Sequence, residues 1–488
     1  MKHRQSNAVQ HLTPRSTAYD KGKYGRLFPW LPPLGQDSDT MRLKMKKLAD
    51  FLQKRSLIQD TNTNQPAGYT YLGQFIAHDL TFDNTSIKER QIDPENIHNY
   101  RTPALDLDCI YGGGPLAQPY LYEPTNEGFP SRFLLKQVQN KEKDGAYFWD
   151  LLRLENGIAV IPDPRNDENL FISQLHVAFQ LLHNYFEAQN SHLPAEQRFY
   201  EAQKLLRWHY QYIILYDYLP RVLDHKIVTQ INPIGHYGLH EYSNLKYYDW
   251  RNEPYIPLEF SGALFRFGHS QVREFYKIRP DQMIKVFDKT EGNAPSFMVN
   301  WMDFFDENGA NLYQYINPIL APSMFSIPTN NNHQPINLAY HNLIRGLTLQ
   351  LPSGQSIAKA MGLGKDILDR ERLYKESLGD LRTNQFPEYR ELDEDPDLTE
   401  FLDNTPLWLY MLLEAKIHGN GTYLGPMGSR LVAEVIIGII QSDKTSFLNQ
   451  DPLWKPEFIK KDPTPTYTMR DFLDMGNILD GARAPGLA

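Results

Sequence analysis

One cysteine, Cys109, occurs in the 488 residues. An intrachain disulfide is therefore excluded, as is a zinc site built from several thiolates. Long apolar runs are also missing. The strongest, Val435 to Ile440, is far below the ~18 residues a membrane-spanning helix requires. Met1 to Leu12 is polar without an apolar core, so no secretory signal is visible there. The formal charge is −9 and Lys and Arg nowhere form a block, which argues against a nucleic-acid partner. There is no Gly-rich phosphate loop, no His-Glu-x-x-His, no internal repeat and no low-complexity tract. A soluble protein follows as the expectation, with the cytoplasm as its compartment and non-classical secretion as the alternative. The oligomeric state is not legible.

What is present is ordinary globular material. With 41% hydrophobic and 22% charged residues the chain can bury a large core. Its length suggests about three domains, although helical enzymes of this size also fold as one. Residues 1–20 read as a polar arm. Phe28-Pro29-Trp30-Leu31-Pro32-Pro33 cannot be helical through its prolines and predicts an extended segment over Tyr24 to Leu34. Met41, Leu48, Phe51 and Leu52 give a helical period, and Ala195 to Leu223 predicts one long helix. Lys365 to Asp403 reads as a charged surface cap. An apolar helix follows Gly421 to Pro426 and runs through Ile440, and from Pro463 an irregular tail is expected.

Four stretches carry candidate chemistry. In Gly73 to Asp83, Gln74 and His78 lie four residues apart and share one helix face, while Asp79 lies roughly 100° further round. Taken alone, such a histidine reads as a hydrogen-bonded core residue. Arg101 to Gly114 offers Thr102, Asp106 and Asp108, oxygens that suit a hard cation or simply a solvated acidic turn. Arg165 and Glu168 stand in a Pro-punctuated loop, Ile161 to Asn169, ahead of a helix whose apolar face carries Leu175, Phe179, Leu182 and Phe186. His176 and His183, seven apart on that helix, read as structural. The last stretch is Gly262 to His269, followed by Asn342, Arg345 and Pro352.

In register, these residues resemble the animal-type haem peroxidase superfamily, of which this chain looks like a disulfide-free, bacterial-type member. Gln74, His78, Asp79 and Phe82 match the distal-histidine segment, and Phe267-Gly268-His269 matches the proximal one. Asn342, Arg345 and Pro352 keep the family's offsets of three and ten residues, and the resemblance runs over roughly residues 24 to 455. It implies a mainly α fold with little β structure: a single helical domain over residues 21–462, and a tail over 463–488. It implies b-type haem, with His269 on the iron, Asn342 accepting from its Nδ1–H, and Arg266 and Arg345 on the propionates. His78, Arg165 and Gln74 are then the catalytic residues, reacting with hydrogen peroxide through a ferryl intermediate. Asp79, Thr102, Asp106 and Asp108 are the implied calcium ligands.

Three departures from the family pattern qualify this. Ala77 stands where a haem-esterifying Asp is common, Glu168 keeps the second ester position, and Asn169 replaces a Met that can form a sulfonium link. Fewer links argue for a lower iron potential. Chloride oxidation is therefore not expected, and bromide, iodide, thiocyanate or organic donors are. The same superfamily contains fatty-acid dioxygenases, whose radical-forming Tyr lies three residues before the proximal His. That position is Arg266 here. A degenerate haem-binding protein would usually lack His78, Arg165 or His269, and all three are kept.

Overall fold

The structure is a computed structural model that describes residues 24–56, 64–82, 99–139, 147–231, 244–249, 254–279, 282–287, 299–328, 334–373, 395–457 and 467–479. Helices dominate, and the described strands form two separate antiparallel ribbons, Lys136–Gln139 with Tyr147–Asp150 and Phe275–Arg279 with Gln282–Lys285. The mainly α expectation is met. No helix among the described residues is long and apolar enough to cross a membrane.

Three helices form the frame. Helix α1 (Asp39–Gln53) starts at Ser38, whose hydroxyl accepts from Met41 N, and buries Met45, Leu48, Phe51 and Leu52. Helix α2 (Gly68–Leu80) is buried at ten of its thirteen positions, so its polar residues sit inside the protein. A Cβ at its Gly73 would come within 2.5 Å of Tyr218 Oη, so only glycine allows this close approach. Leu107, in the left-handed conformation (φ 64°), precedes the single turn α3 (Asp108–Tyr111).

Helices α4 (Leu170–Gln189) and α5 (Ala195–Ile213) pack against each other, and α4 also packs on α2. The path expected as one long helix does continue to Val222, but Ile214–Tyr218 is a π turn. Pro220 explains it: its ring would clash with the carbonyl one turn back, and a wider turn relieves this. Tyr24 to Leu34 is free of helix, as its prolines require.

The proximal stretch is not a continuous helix. It breaks into Leu258–Gly262, a 3-10 turn Leu264–Arg266, and α6 (Gly268–Gln271), with Ala263 at φ −141° between the first two. Behind it lie α7 (Leu338–Thr348), α8 (Leu407–Gly419) and α9 (Pro426–Ser442). Buried Glu414 of α8 accepts from Met427 N and Gly428 N, capping the N-terminus of α9 with a carboxylate.

Two surface expectations are revised. Most of Lys365 to Asp403 lies outside the described residues, but Pro396–Asp403 is a helix burying Leu398, Phe401 and Leu402. The stretch expected to be irregular from 463 on holds helix α10 (Met469–Met475), closed by a Thr468/Asp471 capping box. Asp217 anchors it, accepting from Met469 N (2.8 Å), Tyr69 Oη (2.6 Å) and Arg221 Nε (2.6 Å).

Candidate active site

The last turn of α2 brings His78 against the Asp163–Asn169 segment. His78 Nδ1 lies 2.8 Å from Asn166 Oδ1. An amide oxygen only accepts, so Nδ1 carries the proton and Nε2 keeps the lone pair. Asn166 Nδ2 then donates to His176 Nδ1 at 3.1 Å, and the three side chains form a buried row. Burial, reinforced by the Arg165 charge, holds His78 down to about 3, which keeps the imidazole neutral.

Arg165 is tightly held. Its backbone N and Nε both donate to Asp163 Oδ1 (3.0 Å each), and Nη2 donates to Asp163 Oδ2 (2.7 Å) and His78 O (2.9 Å). Its guanidinium lies 4.6 Å over the Phe82 ring. Asp163 is fully buried and also accepts from Arg101 Nη2 at 2.7 Å. Burial opposes its ionisation, yet the two guanidiniums hold its carboxyl far below the usual carboxylate range.

Gln74 shares a face with His78, as its spacing requires, but its amide is engaged elsewhere. Its Nε2 donates to Glu168 Oε2 and its Oε1 accepts from Asn169 Nδ2, both at a long 3.4 Å. Burial pushes Glu168 up to about 7 against the pull of Arg165.

Asp79 faces away from His78 and accepts from Leu107 N (3.1 Å) and Cys109 N (3.4 Å). Asp106 accepts from Thr102 Oγ1 (2.7 Å) and Asp108 N (3.1 Å), while Asp108 accepts from Arg101 Nη1 at 3.3 Å. Among the described residues no group of three or more His, Cys, Asp or Glu is arranged to hold a metal ion. A ready-made calcium cage is thus not seen. What is seen is electrostatic: burial and Asp108 push Asp106 up to about 7, and burial and Asp106 push Asp79 well above its ordinary value.

On the other side, α6 packs against α2 and carries His269, with α7 supplying Asn342. The two side chains meet at 3.0 Å, but Asn342 turns Nδ2 to the His269 Nδ1 and leaves Oδ1 buried with no hydrogen-bond partner. The expected acceptor is therefore the orphan. Turning the amide by 180° would give Oδ1 the ring N–H and leave Nε2 the lone pair an iron ligand needs. Burial and the Arg266 charge hold His269 down to about 3.

Arg266 Nε donates to Ser261 O at 2.8 Å, and Arg345 follows Asn342 by three residues on α7. Glu168 and His269 are deep enough for burial to dominate their protonation, yet both keep accessible surface, as do Gln74, Ala77, Arg165, Arg266 and Arg345. A separate apolar cavity of about 70 Å³, between Phe51, Leu398 and Leu409, touches none of them.

The family described as animal haem peroxidase matches residues 77–354, more than half of the chain. The chain belongs to the animal haem peroxidase family. Among curated proteins it is 34% identical over 201 residues to peroxidase mlt-7 of Caenorhabditis elegans, covering 38% of this chain and 25% of that one. It is 24% identical over 362 residues to human thyroid peroxidase, covering 66% and 35%. The chain thus spans well under half of these relatives. Among solved structures, peroxidase A of Dictyostelium discoideum matches with a TM-score of 0.58 at 14% identity, over 96% of each chain. A fatty acid alpha-dioxygenase of Arabidopsis thaliana also gives 0.58, at 15% identity, over 92% of this chain and 75% of that one. These two structures share the fold with the chain. Family membership implies haem binding and an oxidoreductase, and the orphan Asn342 Oδ1 beside His269 fits a bound haem iron.

Three residues of this family member escaped the sequence reading: Asn166, Asp163 and Arg101. Asp163 had a readable signal, standing two before Arg165, whereas Asn166 shows its use only once α2 lies across it.

Proposed function

We propose that the protein is a haem peroxidase that uses hydrogen peroxide to oxidise small donors: phenols and other organic compounds, bromide, iodide or thiocyanate. The observation that carries this reading is the 2.8 Å bond of His78 Nδ1–H to Asn166 Oδ1. It leaves a neutral Nε2 as a base beside a fixed guanidinium, the pair that peroxide cleavage needs. A b-type haem, when bound, supplies the iron and the storage of oxidising equivalents. His269 would bind its iron with Asn342 behind, Arg266 and Arg345 would meet its propionates, and Glu168 would attach it by one ester. His78 Nε2 takes a proton from the peroxide and returns it to the departing oxygen. Arg165, immobilised by Asp163 and the His78 carbonyl, stabilises the negative charge that develops there.

Calcium is proposed for Asp79, Thr102, Asp106 and Asp108, because a cation would offset the burial and the mutual repulsion that together raise Asp79 and Asp106. A dioxygenase shares the fold equally well, but Arg266 takes the position of its radical tyrosine. A donor panel tests the reading. The haem-loaded protein should oxidise phenols and iodide with peroxide and should take up no dioxygen with a fatty acid. Dioxygen uptake without donor oxidation would reverse the assignment.

A further inference from the structure

Helix α4 carries a second buried histidine for which the proposed chemistry has no use. His183 lies two turns, about 10 Å of rise, beyond His176. Its Nε2 is 2.9 Å from the Ser131 carbonyl oxygen, which can only accept, so Nε2 bears the proton. Nδ1 is then an open acceptor, and the Tyr111 hydroxyl donates to it at 2.8 Å. Burial holds His183 down to about 4 and pushes the Tyr111 phenol up, so acid–base chemistry alone leaves this pair as it is. Oxidation does not: a phenol that loses an electron becomes a strong acid, and here its base is already in contact. The Glu187 carboxylate favours a charged His183, while Arg132 opposes it.

Tyr111 connects in two directions. Inward, α3 is tied to the distal helix through Cys109 N and Asp79. Outward, Phe133 lies 5.3 Å from Tyr111 and stacks on Tyr122 at 4.8 Å, and Tyr122 Oη donates to Tyr111 O. Tyr122 lines an open cleft of about 400 Å³ together with Pro119, Tyr120, Pro124 and Pro130. Tyr120 is 55% exposed, and the cleft's carboxylate, Glu123, is paired with Arg132 at 3.3 Å. Such walls suit a neutral phenol better than an anion.

We propose that Tyr111 is a redox-active tyrosine, with His183 as its proton acceptor, that passes oxidising equivalents from a peroxide-oxidised haem to a phenolic donor in this cleft. The proposal rests on the haem peroxidase reading. In the first step Tyr111 gives one electron to the oxidised haem. Its Oη–H bond breaks and a bond from that proton to His183 Nδ1 forms, leaving a neutral tyrosyl radical beside an imidazolium. In the second step the donor phenol returns one electron by way of Tyr122. His183 returns the proton to Oη, and the donor releases its own proton to water. Tyr111 and His183 end unchanged, and the donor has lost one electron and one proton.

The test is freeze-quench electron paramagnetic resonance of the haem-loaded protein mixed with peroxide, with donor assays alongside. The wild type should give a tyrosyl signal that narrows with ring-deuterated tyrosine. Tyr111→Phe should lose it, and should lose oxidation of a dextran-tethered phenol while keeping iodide oxidation. Should that variant fold poorly, His183→Gln serves, and its radical yield should fall. A normal Soret response to peroxide with an unaltered tyrosyl signal in the variant overturns the proposal alone. A wild-type Soret band that peroxide leaves unmoved overturns the peroxidase reading together with it.

Discussion

At the residue scale, the identity of His78 matters less than which of its nitrogens holds the proton. Asn166 decides this, because its oxygen faces His78 and its nitrogen faces His176. Asn166→Ala should still bind haem but react with peroxide about 10- to 100-fold more slowly, a fraction of what general acid–base catalysis contributes; stopped-flow absorbance reads this. An undiminished rate would remove Asn166 from the site. His78, Arg165 and His269 were singled out in the sequence only because the short motifs that hold them resemble those of a known family. Asn166 was not, since its use depends on a contact between segments 88 positions apart.

Glu168 gives a prediction with a defined sign. Its folded pKa is raised to about 7 from an ordinary 4.5, so the fold prefers the protonated form. Its contribution is complete below the lower value and is lost as pH rises through the upper one. Haem-free protein should therefore lose about 1–3 kcal/mol between those two values from this group. Glu168→Gln should flatten that part of the melting-temperature profile. An identical profile in the variant would place the carboxyl in water.

At the element scale, loop 101–112 shows what spacing can and cannot convey. Clustered oxygens were readable, but their mutual hydrogen bonds and the intrusion of Arg101 were not, because Arg101 reaches both Asp108 and Asp163. If calcium binds here, it should raise the unfolding free energy by about 2.7 kcal/mol at one hundred times its Kd. Asp106→Asn should abolish that response in calorimetry, and a calcium-insensitive wild type would reduce the loop to an acidic turn. Helix α10 was missed although its Thr468 and Asp471 form a recognisable capping pair. Its length is marginal for an isolated helix, and it holds by packing and through Asp217, some 250 residues away. The π turn at Ile214–Tyr218 was foreshadowed by Pro220 alone.

At the scale of the whole molecule, the buried α2 is the partition on which everything else is hung. It presents His78 to the Asp163–Asn169 segment, Asp79 to loop 101–112, and its body to α6 with His269. The helical class was legible through the resemblance of the short motifs to a helical family, with local periodicity marking only single helices such as α1, whereas the broken proximal segment was not, because its breaks answer to tertiary packing. One measurement tests the central claim most directly: the haem content of His269→Ala beside the wild type, by Soret absorbance and pyridine haemochrome. The account predicts stoichiometric b-type haem in the wild type and loss of most of it in the variant, with the fold retained by circular dichroism. Full haem retention by His269→Ala would contradict it.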